Sequence, residues 1–149
     1  MKIKVDIQRI SESKLLPKNK QLQEWVKAAL CERDSNTELT IRIVDEEEGR
    51  DLNERWRHSS GPTNVLSFPF EDEGNYAPEL LGDIIICAPV IEREAQQQHK
   101  KSEAHWAHMV IHGTLHLLGY DHEKESDATV MEKLEIKILQ ELGFQNPYM

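Results

Sequence analysis

The sequence predicts an α+β domain: a small mixed sheet of about four strands with helices packed on it. Three observations carry that reading. Short segments with a period of two alternate with longer stretches of helical period, the segments follow the order β, α, β, α, β, β, α, α, α, and one late stretch is apolar on nearly every side, as a central buried helix is.

Ile3, Val5 and Ile7 alternate with polar neighbours and make residues 3–9 a half-buried strand. From about Lys18 to Arg33, Leu22, Trp25, Val26, Ala29 and Leu30 recur at helical spacing. ELTIRIVD, residues 38–45, is β-branched and alternating, hence a second strand. DEEEGRDLNERWR, 45–57, opens on acids that suit the positive end of a helix and continues through Leu52 and Trp56, whose spacing assigns both to the core side. HSSGPT breaks that helix. NVLSFPF, 64–70, reads as a short strand whose proline belongs at a sheet edge or a strand end. EDEGNYAPE is acidic and aperiodic, a loop. LLGDIIICAP, 80–89, is almost continuously apolar and reads as a central strand. Helical patterns fill 90–101, 103–118 and about 126–142, the last with Met131, Leu134, Ile138 and Leu142 on one stripe. No repeat, linker or low-complexity segment divides the chain, so residues 1–149 read as one domain.

Composition narrows the function. With 38% hydrophobic and 30% charged residues the chain has the make-up of a soluble globular protein, and no apolar run is long enough for a membrane span. MKIKVDIQRI lacks the apolar core of a signal peptide, and Cys31 and Cys87 lie far apart in apolar settings. Both thiols are expected to be free and buried, in a reducing cytoplasm. A net charge of −9 excludes a chain-wide electrostatic grip on nucleic acid. The acids concentrate in DEEEGRD, FEDEG, DHEKESD and the last helix, whereas Arg50, Arg55 and Arg57 cluster just before PTNVLSFP. That distribution leaves room for a small basic cleft on an acidic protein.

The stretch HGTLHLLGYDH, residues 112–122, carries the chemistry. His112 and His116 lie one turn apart on one helix face, so both imidazoles can point at a single ion. Gly119 is the residue that most easily takes a left-handed conformation, ending the helix and letting the chain bring His122 back. Three imidazoles with room for water are the ligand set of a catalytic zinc site, whereas a structural zinc is closed by four protein ligands. The same spacing occurs in metzincin proteases, where a glutamate follows the first histidine as general base. Here that place is Gly113, so the spacing alone does not license a protease.

These residues resemble the signature of the YbeY-type endoribonucleases, HGxLHLxGYDH, at every fixed position from His112 to His122. LNERWR followed by PTNVLSFPF, within residues 52–70, is similar to that family's arginine followed by PTDVLSFP, and LGDIIIC, 81–87, to its strand opening in Gly-Asp. The resemblance runs over essentially the whole chain. One departure is Asn64, where many relatives carry Asp; an acceptor charge is missing there. The resemblance implies a small cytoplasmic bacterial metalloprotein with one zinc on His112, His116 and His122 that cleaves single-stranded RNA. It implies work on the 3′ end of the small-subunit ribosomal RNA and in ribosome quality control, with Arg57 and His112 tied most strongly to activity. Small-subunit ribosomal proteins and a ribosome-assembly GTPase are the partners it suggests.

Elementary chemistry agrees in outline. Zinc lowers the pKa of a bound water from about 16 to ~7. A guanidinium pairs with two phosphate oxygens and stabilises charge that builds in the transition state, which makes Arg57 the residue for phosphate positioning. Attack by a 2′-hydroxyl would leave a cyclic phosphate and attack by water would not; the residues allow both. Asp121, beside the third histidine, and Asp83, at the start of an apolar strand, are candidates to orient an imidazole, or else capping residues. His105 and His108 read as solvent-facing and His58 as an exposed loop histidine. Thr63 and Ser67 either line the cleft or satisfy backbone groups, Arg50 and Arg55 extend the basic edge or pair with acids of their own helix, and Trp106, like Trp56, reads as core. Two other functions share these features: a metalloprotease or other metal hydrolase, and a non-catalytic ribosome-assembly factor with a structural zinc.

Overall fold

In a computed structural model, which describes residues 2–31, 33, 35–58, 61, 63–70, 79–120 and 124–149, the predicted elements recur in the predicted order. They are β1 (Ile3–Arg9), α1 (Asn19–Ala29), β2 (Thr37–Val44), α2 (Glu46–Arg57), β3 (Val65–Pro69), β4 (Leu80–Cys87), α3 (Ala88–Gln97), α4 (Ser102–Leu117) and α5 (Glu125–Glu141). The fold is α+β. The sheet runs β1-β2-β4-β3, with β1, β2 and β4 parallel and β3 antiparallel on the edge. Pro69, which can donate no ladder hydrogen bond, is tolerated because β3 is an edge strand. The apolar β4 is interior, as continuous hydrophobicity requires.

Side-chain alternation divides the sheet into two unequal faces. Leu39, Ile41, Ile43, Ile84 and Ile86 join α1, α4 and α5 in the main core. Val44, Leu66, Ile85 and Cys87 face the other way and meet Leu52 of α2 and Val90 of α3 in a much smaller cluster. The acidic loop around residues 71–78 lies outside the described residues. No helix among those described is long and apolar enough to cross a membrane.

Helix α4 is the hub, packing against α1, α3, α5, β3 and β4. It is buried continuously from His105 to Ile111, as its nearly uniform apolarity predicts. Gly113 sets how closely it approaches the sheet: a Cβ there would lie 2.9 Å from Ile84 Cγ2 and 3.3 Å from both Ser67 Oγ and Val65 Cγ2. The helix then stops at Gly119, whose φ of 102° lies in the left-handed region. The N–H groups of Gly119 and Tyr120 bond the carbonyls of His116 and Leu115, the paired bonds of a Schellman motif.

Three expectations about burial fail. Trp56 is 60% exposed, because α2 covers only the small cluster and its last turn overhangs it. Cys31 is exposed, whereas Cys87 is buried; both are free thiols. His105 and His108, expected at the surface, are buried, because each has a carboxylate partner on a neighbouring helix.

Candidate active site

Four histidines, His105, His108, His112 and His116, follow one another at helical spacings of three, four and four and form a single stripe on α4. Two carboxylates from flanking helices grip it. Glu94 of α3 bonds His105 Nε2 at 2.9 Å and takes the Asn64 amide at 3.1 Å. Glu135 of α5 is fully buried; its Oε1 lies 3.0 Å from His108 Nε2 and 2.8 Å from His112 Nδ1, and its Oε2 accepts the Tyr148 hydroxyl at 2.9 Å. Burial by itself would push the Glu135 carboxyl up, but the hydrogen bonds and charge of His108 and His112 outweigh it and hold it at about 2. Burial also pushes the Tyr148 hydroxyl up, helped by the charge on Glu135. His105 is held below its ordinary value, since burial outweighs its bond to Glu94.

The far side of the His112 ring meets His116, Nε2 to Nε2, at 3.1 Å. A carboxylate only accepts, so His112 donates from Nδ1 to Glu135, and in the neutral ring the lone pair is then on Nε2. Two ring nitrogens this close suit a shared ion: at zinc–nitrogen distances of ~2.0–2.1 Å, tetrahedral ligands stand roughly 3.3 Å apart. His108, His112 and Glu135 also form a group able to hold a metal, one donor atom from each lying within 4.8 Å of the others. His122 and Asp121 lie outside the described residues.

His112 and His116 open into a cleft of about 530 Å³ together with Arg57, Thr63, Asn64, Ser67 and Tyr120. Arg57, the last residue of α2, reaches it across the edge strand. Its guanidinium bonds the Ser67 carbonyl and sits over the Phe68 ring, 4.9 Å from the centroid. The helix ends there because His58 takes a left-handed conformation, φ 57°. Ser67 does both things its position allows: it lines the cleft, and its hydroxyl donates to the Gly113 carbonyl at 3.1 Å.

The sheet separates Asp83 from the histidines. It pairs with Phe68 while its neighbour Ile84 pairs with Ser67 and faces α4, so alternation turns Asp83 to the opposite face, where it is exposed. Arg55 pairs with Asp51 one turn away at 3.5 Å, and Arg50 lies among Glu47, Glu48, Asp51 and Glu54. His58 is exposed and Trp106 buried. Glu135, Glu94 and Tyr148 are the residues sequence reasoning missed. The signal for the first two was the stripe itself, since four histidines on one face of a buried helix need acceptors from whatever packs there.

Comparison with known proteins gives a consistent picture. The family model described as Endoribonuclease YbeY matches residues 6–143. The chain is 51% identical over 149 residues to Endoribonuclease YbeY of Coxiella burnetii strain Dugway 5J108-111, covering 98% of each chain, and equally to that of strain RSA 331. The solution structure of TM1509 from Thermotoga maritima is similar at TM-score 0.62 and 29% identity, over 91% of this chain and 88% of that one.

Proposed function

The chain belongs to the YbeY endoribonuclease family, and from that premise we propose that it is a metal-dependent endoribonuclease that cleaves single-stranded RNA. One observation supports this most: a guanidinium and two imidazoles, carried by elements on opposite faces of the sheet, open into one cleft. In this reading residues 1–149 act as a single metallohydrolase domain, with zinc held by His112, His116 and His122. When bound, the cation supplies Lewis acidity toward a phosphate oxygen and toward water.

The protein's own residues do the rest. Arg57 binds the scissile phosphate, its planar fork pairing with two oxygens and taking up charge as the bond breaks. Its seat on Phe68 and the Ser67 carbonyl orients that fork before substrate arrives. His112 keeps the proton on Nδ1, against Glu135, so that Nε2 faces the cleft as a donor atom. Gly113 leaves no room for a metzincin-like glutamate, which argues against the protease reading. The cellular setting that fits is the cytoplasm, with maturation of the 3′ end of small-subunit ribosomal RNA and ribosome quality control as the task, alongside small-subunit proteins and an assembly GTPase.

The test is cleavage of a labelled single-stranded RNA by zinc-loaded wild type, Arg57→Ala and His112→Ala, purified identically and shown to be folded by circular dichroism. Cleavage by the wild type alone is expected. Equal cleavage by all three would expose a contaminant, and none by any would favour the assembly-factor reading. His116→Ala should in addition lose most of its zinc; one tightly held zinc per chain in that variant would refute the ligand assignment.

A further inference from the structure

Helix α5 buries Met131, Ile138 and Leu139, and in the same buried row carries one acid, Glu135. For packing alone an apolar residue would serve there, and a buried carboxylate is costly without full compensation. Compensation is provided by three donors: His108, His112 and the hydroxyl of Tyr148. Tyr148 comes from the C-terminal segment, which is tied down where Lys100 Nζ donates to the Pro147 carbonyl at 2.6 Å and is braced within itself by the Tyr148 N–H, which donates to Asn146 Oδ1 at 2.8 Å. Its ring stands edge-on to His108, 5.3 Å between centroids. A continuous polar chain thus runs from the half-exposed Tyr148 through Glu135 and His112 to His116 in the cleft.

We propose that Glu135 and Tyr148 are positioning residues of the cleft: Glu135 fixes the orientation and tautomer of His112, and Tyr148 holds the Glu135 carboxylate in place. The proposal deepens, and rests on, the reading of His112 as a cation ligand. The logic is one of hydrogen-bond direction. Glu135 Oε1 accepts from two rings at once, which sets His112 with its proton on Nδ1 and its lone pair on Nε2, toward His116. Oε1 is saturated by the two rings, and Oε2 would be free to rotate out of this arrangement if Tyr148 did not donate to it. The competing role is Glu135 as a ligand with His108 and His112. In that arrangement the Nδ1 of His112 would face the ion, and its Nε2 and His116 would be dispensable for binding.

The experiment pairs two measurements on wild type, Glu135→Gln and Tyr148→Phe: long-range ¹H–¹⁵N correlation of the His112 ring in metal-free protein, and zinc affinity by competition with a chelator. The wild type should show His112 with its proton on Nδ1. Glu135→Gln should lose that preference and bind zinc roughly 10–100-fold more weakly, the usual cost of removing a carboxylate that orients a ligand. Tyr148→Phe, a peripheral change that spares the fold, should weaken zinc several-fold in the same direction. An unchanged tautomer and affinity in both variants would overturn the proposal. So would complete loss of zinc from Glu135→Gln while His116→Ala retains it, which would make Glu135 a ligand. A wild type that binds no zinc but shows the expected tautomer, lost in Glu135→Gln, would refute the cation reading while supporting Glu135 as the residue that orients His112.

Discussion

The two faces of the sheet are built differently, and the cleft takes a different kind of residue from each. On the α4 face the histidines stand on a helix of the main core, with His105 held by Glu94 and His108 and His112 by Glu135, and the helix itself lies close against β3 and β4 at Gly113. On the α2 face a small cluster supports a helix whose last turn is exposed, with Arg57 at its end and Trp56 in solvent. The faces meet at the edge strand β3. Under the proposed function the division has a physical sense: imidazoles that would share one ion need fixed geometry and come from the packed side, whereas a guanidinium that would grip a flexible polyanion comes from the exposed side.

The contrast predicts where substitutions damage the fold and where they damage only function. The largest effect is expected at Gly113. Gly113→Glu drives a side chain into Ile84 and Val65 and buries a carboxylate, so stability should fall by at least ~3 kcal/mol in urea unfolding. A variant of wild-type stability would show that α4 can shift away from the sheet, and the rigid description of that face would be wrong. On the other face Arg57→Lys should leave stability within about 0.5 kcal/mol yet lower RNA cleavage by about tenfold or more, since an ammonium has neither the planar fork nor the same stacking on Phe68. Wild-type cleavage by the lysine variant would reduce Arg57 to a point charge.

Asn64 lies where the faces meet and gives an intermediate case. Its amide donates to Glu94 at 3.1 and 3.3 Å while its own oxygen accepts the Val65 N–H. Asn64→Asp replaces that donor with a second carboxylate and should cost about 1 kcal/mol at neutral pH, read as a lower urea midpoint. An unchanged midpoint would mean that His105 takes up a proton to bridge the two acids.

What the sequence made legible follows the same division. Period and punctuation gave every element in order, Pro69 limited β3 to a sheet edge or a strand end, and Gly119 marked the end of α4, because these signals are local. The cleft side of α4 was legible too, since His112 and His116 share a face by helical geometry alone. Glu135 was hidden because the stripe of Met131, Leu134, Ile138 and Leu142 made an acid between them look solvent-facing, and only the docking of α5 on α4 turns it inward. Trp56 misled for the converse reason. An amphipathic pattern says which side of a helix is apolar but not how much surface there is to cover, and the cluster beneath α2 is too small to cover it.

The smallest predicted effect tests how tightly the α4 stripe is buried at its start, away from the cleft. Burial holds His105 below its ordinary pKa despite the bond to Glu94, so the folded ring resists a proton that the unfolded chain accepts near pH ~6.5. Above that pH both states are neutral at this position and stability is unaffected by it. As pH falls through it the unfolded state binds more protons than the folded one, and stability declines until the folded ring also titrates. The difference between wild type and variant isolates this one ring and is the informative quantity. His105→Gln should have a flatter curve of unfolding free energy between pH 7 and 5 than the wild type, whatever its absolute stability. Parallel curves would show that the folded ring takes its proton as readily as the unfolded one, and that the first turn of α4 opens to solvent.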